Sequence, residues 1–462
     1  ASLVASKLLQ EQTRKAFILN KDIDSSSTKS LGITANRLDI NQGGTVNTSV
    51  YLDSNGLLGL GDINLKAGED LFVNSLGNIV QVGQTTVTSD GDNRGQINLE
   101  SQGSIINNAP NNSGLFTADD LILEANHDVG NSTQHLNIIA DNLSVESGQN
   151  VDIKSTQSKD LNIISQGAVN GINANGNIRV ETQGNLVLSE LINNSQTSSD
   201  STSELISHNG AIVDNNGTAA NVKGYNLIAV AKNGIHLDTE VETIQRLAST
   251  DGHIIIREKD KVLVEDVTAD NGNFTIGSGD ITIQNISVQN ANKSNEDAGN
   301  VNISSTSSVF NDSDITTKIS ADSLTITAAK DVGNTVKAND ESSRSLDIDV
   351  KDLTVDAGGV VNIKEANDVT IHHIKTTGDV TVQSVDGSLA VGNILTTKTD
   401  KSDTNPTKVT LFAEKGNITN ILEQSGATNL NVLSNQLVMK AKSGIGQSEQ
   451  YLDVQIDQLA AN

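Results

Sequence analysis

Cysteine is absent from this chain, so no disulfide staples it and no thiolate serves as nucleophile or metal ligand. That absence fits the cytosol, and it equally fits secreted bacterial proteins that gain stability from repetition. Tryptophan is absent too, methionine occurs once, and aromatic residues make up 2% of the chain. A large globular core is usually filled with that bulky volume. The apolar residues here are mostly Val, Ile, Leu and Ala, which suit thin, regularly stacked layers of strands. Basic residues are scarce: 31 Lys and Arg stand against 57 Asp and Glu, a formal net charge of −26. Nucleic acid and anionic membranes are therefore poor partners, since both recruit basic patches. The acidic surface favours solubility and attracts divalent cations such as calcium weakly and without specificity. No apolar run approaches the ~20 residues of a membrane helix. No signal peptide is visible, and the chain begins at Ala1 rather than Met, which suggests a processed product or an excerpt of something longer.

What the chain has is repetition. The stretch "NHDVGNSTQHLNIIADNLSVESGQNVDI" at 126–153 returns at 330–363 as "KDVGNTVKANDESSRSLDIDVKDLTVDAGGVVNI". Segments beginning at Leu31, Leu136, Leu346 and Leu452 align with it, and a degenerate copy lies near Leu237. Their starts are spaced by roughly 100–110 residues, a period that belongs to repeat arrays. Upstream partners keep step: "INLESQGSIINNA" at 97 matches "LISHNGAIVDNNG" at 205, "VNISSTSSVFNDS" at 301 and "VTLFAEKGNITNI" at 409. The chain thus reads as about four and a half copies of one unit of roughly 105 residues, cut mid-copy at the C-terminus.

Within a unit the pattern has period two. Leu136, Ile138 and Ala140 alternate with Asn137, Ile139 and Asp141, and Leu346, Ile348 and Val350 alternate with Asp347, Asp349 and Lys351. Such alternation predicts one buried and one wet face. Short runs are separated by Gly, Asn, Asp and Ser, the turn residues. An array of sandwich domains would call for a larger core with a buried aromatic. The thin aliphatic composition predicts instead an all-β right-handed parallel β-helix, a β-solenoid of about 20–25 residues per coil. At ~4.8 Å per coil it would form a rod on the order of 100 Å long. Residues 1–30 are expected to be irregular or capping lead-in coils, and 31–462 one continuous shaft. Turn asparagines are expected to stack in amide ladders, and the glycines at 43–44, 148 and 358–359 to supply positive φ at equivalent corners. Polar stretches at 193–204, 289–300 and 396–408 read as solvated excursions, or as contact loops on a rigid scaffold.

The "VGN…LNIIADNLSVESGQNVDI" unit resembles the haemagglutinin-type repeats of very large bacterial exoproteins, the filamentous-haemagglutinin-like group exported by two-partner secretion. The resemblance covers most of the chain as a repeat style. It implies a β-helical shaft, secretion to the outer surface of a Gram-negative-type bacterium through an outer-membrane transporter, and a role in adhesion or surface display. The ligand would be a glycan or protein on a host or partner-cell surface. The family's N-terminal secretion module is not evident, since "ASLVASKLLQEQTRKAF" at 1–17 is unlike it.

Parallel β-helices also carry polysaccharide lyases and glycoside hydrolases, so catalysis is the rival reading. Its sites need carboxylates, often with Arg or Lys, converging on one outward face across adjacent coils. Asp347 and Asp349 share a face with Lys351 beside them, as alternation alone produces. Arg179, Arg246, Arg257 and Arg344 are scattered, and Tyr51, Tyr225 and Tyr451 do not cluster in the sequence. Asp90 and Asp92 in "SDGDNRG" lack the calcium-loop pattern, with Ser101 where a bidentate Glu would stand. The Gly277–Asp280 stretch is followed by no helix and no Lys-Ser/Thr, so it is no phosphate loop. His372 and His373 are adjacent in a strand and would face opposite ways. His127, His135, His208, His236 and His253 are dispersed. No catalytic residue, metal ligand or cofactor site is therefore assigned. The expectation is a non-enzymatic extracellular structural rod, the shaft of a giant adhesin. The alternatives are a glycan-active or glycan-binding β-helix, and a filament subunit that associates end to end through its open coils.

Overall fold

The computed structural model describes residues 17–19, 31–32, 35–40, 49–194, 199–291, 299–312, 318–333, 345–396, 406–422, 429–448 and 450–462. The chain divides into two compact units, Ala1–Lys232 and Asn233–Asn462. Both are built from short parallel strands. Among the described residues the helical element is a single 3-10 turn at Pro110–Asn112. Of the polar stretches, 289–300 and 396–408 lie largely outside the described residues and 193–204 in part, as do most of residues 1–30 and Gly43–Gly44.

Alternation makes the strands. In Val50–Ser54 the residues Val50, Leu52 and Ser54 are buried, while Tyr51 and Asp53 face water. The buried residues of successive strands then fall in register and form columns. In the first unit one column runs Leu52, Val73, Leu99, Leu123, Val145, Ile172, Ile192, Val222. A second runs Ile79, Ile105, Val129, Val151, Ile178, and a third Ile63, Thr85, Phe116, Ile138. The chain visits the three columns in turn, which is a solenoid-like path. In the second unit a column runs Ile254, Phe274, Val301, Leu324, Leu353, Ile371, Val391. Each strand alone exposes its apolar face, and stacking buries it. The registers advance by 21 residues from Leu52 to Val73 and by 30 from Ile192 to Val222, so coils tolerate insertions. One insertion forms the antiparallel pair Ser165–Gln166 and Val169–Asn170. Its Gln166 amide donates to Ser144 Oγ (3.1 Å) and Leu121 O (3.3 Å).

The expected core residues Leu136, Ile138, Leu346 and Ile348 are all buried. Asn137, expected in water, is buried as well. Its Nδ2 donates to the carbonyls of Asn112 (2.7 Å) and Gly114 (3.2 Å), at the 3-10 turn and just after it. A polar side chain enters the interior where carbonyls await a donor.

Corner chemistry differs from the amide ladder read from sequence. A side-chain oxygen on one coil accepts the backbone N–H of the next. Asn78 Oδ1 takes Ser104 N–H, Ser104 Oγ takes Asp128 N–H, Asp128 Oδ1 takes Asn150 N–H, Asn150 Oδ1 takes Asn177 N–H, and Asn177 Oδ1 takes Thr202 N–H (2.9–3.3 Å). The second unit repeats the device from Asp280 through Ser308 and Asp331 to Val360. The glycines beside these caps are needed for space: a Cβ on Gly359 would lie 2.1 Å from Asp331 Oδ1. Gly148 and Gly358 are likewise steric, 2.0 Å from the carbonyls of Asn126 and Ala329, and none of these three has positive φ. Positive φ occurs at other glycines, among them those of the "DVGN" motifs, Gly130 (74°) and Gly333 (79°).

Candidate functional site

In the first unit, strands Val151–Ser155, Ile178–Thr182 and Thr202–Ser207 lie side by side. Their register lines up Asp152, Arg179 and Glu204 across three coils, with Lys154 beside Glu181. Arg179 Nη2 lies 2.5 Å from Glu181 Oε2, and its Nε 3.0 Å from Glu204 Oε2. Glu181 Oε1 also receives Lys154 Nζ (2.7 Å) and His208 Nε2 (2.9 Å). His135 Nδ1 is 2.5 Å from Asp152 Oδ1. Arg179, His135 and His208, scattered in sequence, are thus brought together. Burial pushes the Glu181 carboxyl up, but hydrogen bonds from Lys154, His208 and Arg179 outweigh it and lower it to about 2. Burial raises the Asp152 carboxyl against the pull of His135 and Arg179. Carboxylates and cations converge, but they are spent on each other. A carboxylate held near 2 is a poor proton carrier at neutral pH.

Tyr51 and Phe72 occupy matching outward positions one coil apart. Their rings stack at 4.8 Å with 5° between planes, an aromatic pair that sequence separation hides. Tyr451 is exposed. His372 and His373 do not face opposite ways. A bulge between Leu353–Thr354 and Ile371–His373 turns both outward, between buried Ile371 and Ile374. Each takes its own carboxylate, His372 with Asp352 (2.6 Å) and His373 with Asp356 (3.3 Å). Asp90 and Asp92 lie in an exposed turn closed by the Asp90–Asn93 backbone pair. Arg246 is exposed, and Arg344 lies outside the described residues.

The most informative site in the second unit is a strand corner that occurs twice. Strand Ile235–Ser249 pairs first with Ile254–Glu258 and then with Val262–Ala269. Strand Leu346–Ala357 pairs first with Val361–Glu365 and then with Val369–Thr376. Between the two pairings the long strand turns, leaving backbone N–H groups to be satisfied. Glu258 and Glu365, each in the inward phase of its strand, supply the acceptor. Glu258 Oε2 accepts Val241 N–H (3.2 Å), and its Oε1 accepts Lys259 N–H (2.9 Å) and Asp260 N–H (3.3 Å). Glu365 Oε2 accepts Val350 N–H (3.1 Å), and its Oε1 accepts Asn367 N–H (3.0 Å). Burial raises both carboxyls; Glu365 reaches about 7, against the amides of Asn367 and Val350 that pull it down.

The two corners differ around this shared carboxylate. At the first, Thr239 Oγ1 donates to Glu258 (2.7 Å), and Arg257 forks onto Asp238 (2.5 and 3.2 Å). At the second, the register puts Ile348 where Thr239 stands, Lys364 where Arg257 stands and Asp347 where Asp238 stands. Among the described residues Lys364 has no ion-pair partner, and Asp347 accepts a hydrogen bond from Ser345 Oγ (2.7 Å). A cleft of about 240 Å³ opens there, with Glu365 in its lining. No protein-family model matches this chain, and neither a curated protein nor a solved structure matches it.

Proposed function

We propose that the chain is a non-enzymatic structural scaffold, a right-handed parallel β-helix of about four and a half repeats. Its role would be that of a shaft segment in a secreted bacterial adhesin. The observation that carries the scaffold reading is the corner ladder. From Asn78 to Thr202, one side-chain oxygen per coil caps the next coil's backbone. The polar residues there are engaged in stacking, not in chemistry. The cluster around Glu181 supports the same reading, because its cations and carboxylates neutralise one another. Export, surface display and the outer-membrane transporter rest on the resemblance of the repeat motif alone.

The glycan-active reading draws on one observation, the high carboxyl of Glu365 beside a cleft. Against it stands Glu258, which makes the same amide contacts at an equivalent corner. The feature is therefore part of how a coil turns. Incubating the purified chain with acidic and neutral polysaccharides, with and without calcium, separates the readings. The scaffold yields no product. Sustained release of product, abolished by replacing a single surface carboxylate, would overturn it.

A further inference from the structure

Glu258 and Glu365 have a counterpart in the first unit, Ser155, and we propose that one buried water occupies there the place their carboxylates fill. The inference goes beyond the scaffold reading and holds whatever the chain binds. Register makes the three corners equivalent. Ser155 is paired with Ile138 as Glu365 is with Ile348 and Glu258 with Thr239. The backbone repeats as well. In each corner the next amide donates to the carbonyl of that paired residue: Thr156 to Ile138 (3.0 Å), Ala366 to Ile348 (2.9 Å) and Lys259 to Thr239 (3.0 Å). In this frame Ala140 stands where Val350 and Val241 stand, and Gln157 where Asn367 and Asp260 stand. Those are amides that the two glutamates cap.

At the serine corner the caps are missing. Ser155 is fully buried, and its Oγ has no hydrogen-bond partner. Among the described residues nothing accepts from the backbone N–H of Ala140 or Gln157. Other inward serines at strand ends behave differently. Ser75, Ser101, Ser147 and Ser305 each accept the N–H two residues on, from Gly77, Gly103, Gln149 and Ser307 (3.0–3.3 Å). Ser155 does not take the Gln157 N–H in that way. One hydroxyl and two amides thus share a buried corner, and buried polar groups need partners.

Their chemistry selects water. Ser155 and Ala140 are both smaller than Glu365 and Val350, so less side chain fills the corner from either side. The two amides only donate, which leaves a cation without ligands. An anion would be buried without a counter-charge, because neighbouring Lys154 is engaged with Glu181 (2.7 Å) on the outward side. A water accepts from both amides and donates to Ser155 Oγ, within the two to four partners that a buried water takes. The Gln157 side-chain amide donates to the Ala140 carbonyl and ties the two sides of the corner together.

The test combines a crystal structure of the full chain with water-to-amide cross-relaxation by NMR. Density for one water should lie within hydrogen-bond distance of Ala140 N, Gln157 N and Ser155 Oγ. Both amides should show cross-relaxation from a long-lived water. Ser155→Glu restores a pattern that the fold accepts twice, so the water should be expelled and both signals lost. Ser155→Gln brings a neutral acceptor of the same reach and should do likewise; it decides the matter if Ser155→Glu misfolds. Three results overturn the proposal. One is Ser155 Oγ bonded directly to the Gln157 N–H with no water beside it. Another is an ion in that place, seen as an anomalous peak after exchange into bromide. The third is cross-relaxation at Ala140 and Gln157 that is absent from the parent or undiminished in the variants.

Discussion

Ile348 and Asp347 are neighbours in the chain and opposites in the fold. Ile348 is 2% exposed, packed inside the second unit, while Asp347 looks outward and accepts a hydrogen bond from Ser345. Replacing Ile348 with Asp buries an unpaired carboxylate beside Glu365 and should cost several kcal/mol. Asp347→Asn should change stability by less than about 0.5 kcal/mol. Urea unfolding of both variants at pH 7 checks this. Interchanged effects would mean that the strand register is off by one residue.

Gly130 sits at φ 74°, and a Cβ there would lie 2.0 Å from the carbonyl of Asp152. Gly130→Ala combines backbone strain with a backbone clash and should destabilise the first unit by about 2 kcal/mol or more. Gly91, at φ 61° with open space around it, isolates the strain. Gly91→Ala should cost no more than about 1–2 kcal/mol. Equal losses in the two variants would show that the approach to Asp152 is looser than the structure has it.

Much of this was legible in the sequence, for a local reason. Period two places Leu136, Ile138, Leu346 and Ile348 inside whatever the neighbouring coils are. Glu365 also carried a signal: in "VNIKE" it shares phase with Val361 and Ile363, and a carboxylate in the inward phase needs donors. Glu258 in "IIIRE" carries the same signal. What stayed hidden depends on coil length. Tyr51 and Phe72 stack because 21 residues make that particular coil, and Asp152 meets Arg179 because a later coil takes 27. These lengths vary with insertions, so no fixed period predicts the pairs. The bulge at His372 was hidden for a similar reason, since one extra residue between Ile371 and Ile374 resets the alternation.

Glu181 and Glu365 should respond to pH in opposite directions. The Glu181 carboxyl is lowered to about 2, below its ordinary 4.5. Its contribution is present above about pH 4.5 and is lost as pH falls toward 2. The Glu365 carboxyl is raised to about 7, so its contribution is full below about 4.5 and is lost as pH rises through 7. Glu365→Gln keeps one of the two acceptor oxygens and removes the titration, so its fixed cost is the same at every pH. The difference in unfolding midpoint between Glu365→Gln and the parent should therefore grow in favour of the variant from pH 5 to pH 8. A constant difference would place the Glu365 carboxyl at its ordinary value. Comparing variant with parent cancels the general repulsion of a chain with net charge −26.

The corner ladder makes a local prediction that global unfolding alone would blur. Asn150 is a central rung: its N–H and Nδ2 donate to Asp128 Oδ1 (3.1 and 3.0 Å), and its Oδ1 accepts Asn177 N–H (2.9 Å). Asn150→Ala removes the acceptor and leaves the Asn177 amide without its partner, at a cost of about 1–2 kcal/mol. Gly176→Ala reaches the same rung from the other side, because a Cβ at 176 would lie 2.4 Å from Asn150 Oδ1. The oxygen must move, and the Asn177 amide loses its cap while Asn150 itself is unchanged. Amide hydrogen exchange should therefore speed up at Asn177 in both variants, and change little at Ser104 in the same unit, which is capped separately by Asn78. Exchange at Asn177 as slow as in the parent would mean that the side-chain cap does not hold this corner, and that strand pairing alone does.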